Sequence, residues 1–146
     1  MGDVIIVAVN DSRAVFRAAE VAIDYARRLG ARLRVVTVRD TGLLDWRPGD
    51  VDQAAVGRNA DLGAEAALSH VAALGAAAGV DVSFSRRSGR VAAEILAEAR
   101  AVKAALIVVA LVDRPGHTTP YIGSHTLRVL EFSGVPVLVV PLRPAL

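Results

Sequence analysis

Residues 113–125 concentrate the side chains best suited to chemistry: Asp113, Arg114, His117, Thr118, Thr119, Ser124 and His125. Aspartate, histidine and serine are the types of a hydrolytic triad, and aspartate with histidines could hold a metal. Neighbouring positions on a helix point in different directions, so Ser124 and His125 are poorly placed as nucleophile and base. A single loop also supplies no second element from which metal ligands could converge. A small hydrolase using Asp113–His125 is therefore the weakest reading. Anion binding is the stronger one. Gly123-Ser124 opens a short helical pattern, and a helix N-terminus offers phosphate its free amides and the positive end of a dipole. A turn glycine with an N-capping serine would carry the same signature.

Two apolar runs frame that loop, Leu106–Val112 and Val135–Val140. Both are β-branched and lack a polar alternate position, as parallel strands buried on both faces do. The same alternation of strand and helix fills the chain upstream. Val4–Asn10 predicts a first strand. Arg13–Leu29 predicts an amphipathic helix with Val15, Ala19, Ala22, Ala26 and Leu29 inward and Gly30 as its terminator. Leu33–Val38 predicts a second strand. The irregular stretch 39–52 follows, where Trp46 beside Leu43 and Leu44 would cover apolar surface or a dimer contact; the loop is expected to lie, mobile, over a crevice. Gln53–Ala78 predicts a long helix with Ala60, Ala64, Ala67, Val71, Leu74 and Ala78 inward, and His70 solvated. Val80–Arg86 alternates and predicts an edge strand with Val80, Val82 and Phe84 on one side. Val91–Lys103 predicts a helix burying Ala92, Ile95, Leu96 and Ala99.

Five strands alternating with four helices define an α/β fold, a doubly wound parallel sheet with helices on both faces. Ligands bind such sheets beyond the carboxyl ends of the strands, where the strand order reverses. Asn10–Ser12, Val38–Asp52 and Val112–Ile122 are the connections at those ends.

Composition excludes several classes. The 146 residues suit one domain, 1–146, and the 53% hydrophobic content places it among globular chains. No apolar run approaches the ~18–20 residues of a membrane span. Asp3 and the missing basic n-region make the first apolar stretch a strand and not a signal peptide, so a cytoplasmic location is expected. With no cysteine, disulfides, thiolate metal sites and cysteine nucleophiles are excluded. Seventeen basic residues against fifteen acidic ones are scattered, and aromatics are 4% of the chain, so neither a basic stripe nor a stacking platform for nucleic acid is present.

Several segments together resemble the universal stress protein family across nearly the whole chain. They are VIIVAVNDS, ARRLGARLRVVTV, Gly89 followed by AEIL, LIVV before the loop, and GS with VPVLVV after it. The resemblance implies a five-stranded parallel sheet in the order 3-2-1-4-5 and a homodimer; some family members bind ATP and others do not. The family's nucleotide signature is Gly-x2-Gly-x9-Gly-Ser/Thr. Here Ala110 and Asp113 stand at the first two glycine positions, only Gly123-Ser124 is kept, and Asn10 replaces the usual strand-one aspartate. Glycines serve such loops because backbone amides must approach phosphate without a Cβ in the way. Asp113 in addition puts a carboxylate near the phosphates.

The resemblance thus marks Ala8, Asn10, Ser12, Val38, Val109, Ala110, Asp113, Gly123, Ser124 and His125 as candidate nucleotide contacts, for ATP or AMP with Mg²⁺. Asn10 and Ser12 could equally cap the first helix. The leading expectation is a non-enzymatic stress-response or regulatory protein with a partly degenerate nucleotide crevice. The alternative is a genuine ATP- or AMP-binding member with a variant phosphate loop. Dimerisation is expected through the last strand, by Val135, Val137, Leu138, Val139 and Val140, an apolar edge with no charged residue to block pairing.

Overall fold

The computed structural model describes residues 3–9, 13–40, 53–111 and 124–141, with only the backbone at 13–15, 40, 53–64 and 124. The elements run β1 (Val4–Ala8), α1 (Arg13–Leu29), β2 (Arg32–Asp40), α2 (Gln53–Ala78), β3 (Val82–Gly89), α3 (Val91–Val102), β4 (Leu106–Ala110), α4 (Ser124–Phe132) and β5 (Val137–Val140). The five strands form one parallel sheet in the order β3-β2-β1-β4-β5. Strand order reverses between β1 and its neighbours β2 and β4, so the switch point lies at the ends of these three strands.

Alternation along each strand sends side chains to two cores. On one face Ile5, Val7, Leu33, Val35 and Val108 pack under α1 and α2. On the other, Ile6, Val36, Ile107 and Val109 pack under α3 and α4. Each fully buried valine, leucine or isoleucine contributes roughly 1.5–3 kcal/mol, and the central strands carry most of them. Gly75 lets α2 approach β3, because a Cβ there would collide with the Val82 side chain.

Three helices end alike. Gly30 (φ 66°), Gly79 (φ 72°) and Lys103 (φ 54°) take the left-handed conformation. The next amides, of Ala31, Val80 and Ala104, reach back to the carbonyls of Ala26, Gly75 and Ala99 at 2.9 Å. These are Schellman closures. The glycines were legible as terminators; Lys103 was expected inside α3.

Other boundaries shift for identifiable reasons. β5 starts at Val137, not Val135, because Pro136 has no N–H to give the ladder; its carbonyl still accepts from Ile107 at 3.0 Å. β2 runs on to Asp40 because β3 pairs with it as far as Gly89. β1 and β4 end early, at Ala8 and Ala110. In α1 the buried face is Ala18, Ala19, Ala22, Ile23 and Ala26, whereas Leu29 is 65% exposed. The chain turns at Gly30, and Ala31 takes the buried place instead. β3 is an edge strand as expected, but Phe84 is 39% exposed, and among the described residues no strand flanks β3 on its outer side. His70 is exposed and sets its ring edge-on to Phe16, 4.9 Å between centroids, a contact its sequence position did not signal. Trp46, the loop around it and the side chains of Val15, Ala60 and Ala64 lie outside the described residues. Among the described residues no helix is long and apolar enough to cross a membrane.

Candidate functional site

Ala8, Val38 and Ala110 stand at or near the ends of β1, β2 and β4, which lie side by side in the sheet. Ala8 and Val38 pack with Val109 onto the α3/α4 core. Val109 is itself buried there, so its side chain belongs to the interior. What these positions can offer a ligand is backbone. Val9 already commits its N–H to the Val36 carbonyl at 2.9 Å.

The end of β4 is held from two sides. Leu111 N–H donates to the Val140 carbonyl at 2.8 Å. Thr126, in the first turn of α4, donates its hydroxyl to the Ala110 carbonyl at 3.2 Å and is itself buried. The helix start is thereby tied to the strand it follows, and the Ala110 carbonyl is occupied. Sequence reading missed Thr126. The signal was available: Thr126 lies three before buried Val129, so a hydroxyl occupies the inward stripe of α4. His125 is exposed on the neighbouring face. Ser124 begins α4, its side chain undescribed. Asn10, Ser12, Asp113, His117 and Gly123 lie outside the described residues, which bring Ala8, Val38, Val109, Ala110, Ser124 and His125 to this end of the sheet. Among the described residues no histidine–carboxylate cluster could hold a metal.

Between α3 and the strands β2 and β3, an ion-pair cluster forms around the buried Glu98. Glu98 takes the Nε of Arg34 at 3.0 Å on one oxygen and the Nη1 of Arg87 at 2.6 Å on the other. Arg87 also donates its Nε to Glu94 at 2.7 Å. Burial pushes the Glu98 carboxyl up, but hydrogen bonds from Arg34, Arg87 and Ser85 outweigh this and hold it below its ordinary value. Glu94, then Glu98, hold Arg87 above its own. Gly89 (φ 142°) admits Glu94, since a Cβ there would lie 2.7 Å from the carboxylate oxygen. Every buried side-chain polar atom among the described residues has a partner. The cluster fixes α3 against β2 and β3, and its two arginines and two glutamates balance in charge.

A doubly wound parallel α/β sheet whose strand order reverses at β1 is the class of fold that these elements define. Within that class, the sequence model of the universal stress protein family matches residues 1–141. The chain belongs to the universal stress protein family. Comparison with curated protein sequences gives no match. Solved structures share the fold. One is a universal stress protein family member from Burkholderia pseudomallei, 24% identical, with 95% of this chain and 96% of that chain covered and a TM-score of 0.75. A universal stress protein in complex with cAMP is 24% identical, with 97% and 98% covered and a TM-score of 0.69. The universal stress protein of Archaeoglobus fulgidus in complex with dAMP is 21% identical, with 94% and 96% covered and a TM-score of 0.67.

Proposed function

We propose that this chain is a non-enzymatic stress-response or regulatory protein that works as a homodimer paired through β5. Its nucleotide crevice at the carboxyl ends of β1, β2 and β4 is partly degenerate. The observation that carries the reading is a family match over residues 1–141 combined with a phosphate motif that keeps Gly123-Ser124 but has Ala110 and Asp113 for its first two glycines. Ala8, Asn10, Ser12, Val38, Val109, Ala110, Asp113, Gly123, Ser124 and His125 form the crevice. Val38 and Val109 act through backbone groups, and Thr126 joins the set by holding the end of β4.

A second reading, genuine nucleotide binding through a variant loop, draws support from the family structures in complex with cAMP and dAMP. Both ligands carry a single phosphate. Asp113 at the motif position penalises a triphosphate more than a monophosphate. Two like charges about 4 Å apart cost roughly 1 kcal/mol in watery surroundings and roughly 4 at a half-buried surface. That amounts to a roughly tenfold to thousandfold weakening of ATP. Mg²⁺ bridging carboxylate and phosphate would reverse the sign.

Titration calorimetry with ATP and AMP, with and without Mg²⁺, separates the readings. Weak ATP binding without metal is expected. Ala110→Gly with Asp113→Gly raises ATP affinity, and Ser124→Ala in that background lowers it again. Micromolar ATP binding by the unmodified chain without metal overturns the degenerate-crevice reading in favour of the second.

A further inference from the structure

At the amino ends of the strands, opposite the crevice, lies a depression of about 320 Å³ lined by Val4, Arg32, Arg34, Asp81, Ser83 and Val102. Its chemistry begins with Arg34. The Nε of Arg34 donates to Oε1 of Glu98 at 3.0 Å, and Glu98 is buried. A guanidinium carries five N–H donors in a rigid planar fork. Anchoring it through Nε fixes that plane against the sheet and leaves the Nη donors over. The Arg34 side chain is 29% exposed, so those donors remain within reach of solvent.

Arg32 precedes Arg34 by two positions on the same strand and so shares its face. It is exposed and has no side-chain partner among the described residues. Ser83 stands opposite Arg34 in the β2–β3 register and brings a hydroxyl to the same face. Val4 and Val102 supply aliphatic walls, and Asp81 is the single acidic residue of the lining. Asp81 forms no ion pair with either arginine.

The geometry points to a binding site for a small organic phosphate, its oxygens taken by Arg32, the pre-set fork of Arg34 and the Ser83 hydroxyl. Guanidinium forks match phosphate oxygens in spacing and charge, and a fork already held from behind loses less freedom on binding. The volume sits at the lower end of small-molecule sites, about 300–1,000 Å³. That leaves room for an organic group against Val4 and Val102. Asp81 faces the anion with the wrong sign and keeps the affinity modest. The site uses no residue of the carboxyl-end crevice, so it stands independently of the nucleotide reading.

The test is a titration of phenyl phosphate into the ¹⁵N-labelled full chain, followed by amide shifts, with inorganic phosphate and phenol as parallel arms. Expected are saturable shifts centred on Arg32, Arg34 and Ser83, tighter binding of phenyl phosphate than of inorganic phosphate, and none of phenol. Arg32→Ala should weaken binding by about tenfold or more, and Ser83→Ala by less, since Arg32 brings a full positive charge and several donors whereas the hydroxyl brings one neutral donor. Asp81→Asn should tighten binding by a few-fold. All three positions are exposed, so their melting temperatures should match the parent's. Arg34 is left intact, because removing it would take one of its two arginine partners from the buried Glu98 carboxylate and so mix stability with binding. The assignment is overturned by shifts that do not saturate, by unchanged affinity in Arg32→Ala, by equal binding of phenyl and inorganic phosphate, or by shifts gathering at the ends of β1 and α4.

Discussion

The sheet has two edges, and they solve the same problem in opposite ways. β3 is eight residues long, β5 only four. An edge strand exposes unpaired backbone groups that can template another chain. β3 carries Arg86 and Arg87, and its inner polar side chains are matched within the molecule by Glu94 and Glu98 of α3. β5 is Val-Leu-Val-Val, with no charge at all and three of its four side chains half-buried. The helix beside it adds Leu127, 55% exposed, and Phe132, 65% exposed. One edge is finished internally. The other leaves apolar side chains half-buried among the described residues, and in the proposed dimer a second copy would cover them; a short strand between Pro136 and Pro141 limits what can pair to something of matching length. A second copy of β5, antiparallel across a two-fold axis, meets that condition by construction.

The largest effect should come from giving β5 the charge that β3 already has. On the proposed pairing through β5, Val139→Lys is expected to raise the dimer dissociation constant by about a hundredfold or more, because a lysine would be desolvated between the two strands. Sedimentation velocity would show monomer or aggregate. Val139 also packs on the α3/α4 core, so Phe132→Ser serves as a companion that leaves the core alone. A parent chain that sediments as a monomer, or a dimer untouched by Val139→Lys, would remove the contrast between the edges.

The next effect lies on the finished edge. Glu98→Gln leaves Arg34 and Arg87 facing a neutral amide that can accept but not neutralise. Breaking a fully buried pair costs about 3–5 kcal/mol. Both arginine side chains here are about 30% exposed, so a loss of about 2 kcal/mol is expected in urea unfolding. The pH dependence follows from the sign of the shift. The folded Glu98 carboxyl sits below its ordinary value of 4.5. Its contribution is therefore complete above that value and lost as pH falls through the lower folded one. The parent should lose stability below about pH 4.5 more steeply than Glu98→Gln. Asp24, also lowered by its hydrogen bond to Arg27, is unchanged in both and cancels from the difference. Parallel curves for the two proteins would mean that the cluster contributes nothing through charge.

Why the sequence told one edge better than the other is a matter of range. Apolar runs and helical stripes are local, so every strand and helix could be placed, and Gly30 and Gly79 marked two of the helix ends. Strand order came from a resemblance spread along the chain and agrees with the sheet observed. The ion cluster is different in kind. Arg34 and Glu98 are 64 positions apart, and no window spans them. The trace they left was a charged residue on the inward stripe of α3, between Ile95 and Val102, where burial demands a partner. Thr126 left the same trace on α4. Polar residues at apolar stripe positions were thus the readable sign of what was missed, and Leu29 and Phe84 erred the other way, apolar residues at positions that the chain turn and the open edge leave in solvent. The candidate site was readable only as positions at the carboxyl ends of β1, β2 and β4, and its glycine-loop residues lie outside the described residues.

The smallest expected effect is the sharpest on what guards β3. Arg86 reaches Glu65 at 3.6 Å, with the two side chains 48% and 63% exposed. Exposed pairs of this kind contribute about 0–1 kcal/mol and are screened by salt. Valine meanwhile suits a strand better than arginine. Arg86→Val should therefore shift unfolding free energy by no more than about 0.5 kcal/mol in either direction. What it should change is behaviour at high concentration: with one charge gone, β3 moves towards the composition of β5, and light scattering should rise while the melting temperature stays put. The rise should be modest, since Arg87 still stands beside it and its side chain is engaged with Glu94 and Glu98. If Arg86→Val instead destabilises the monomer by more than about 1 kcal/mol, beyond what exposed pairs supply, Arg86 matters as a strut between α2 and β3, and its place on the edge is incidental.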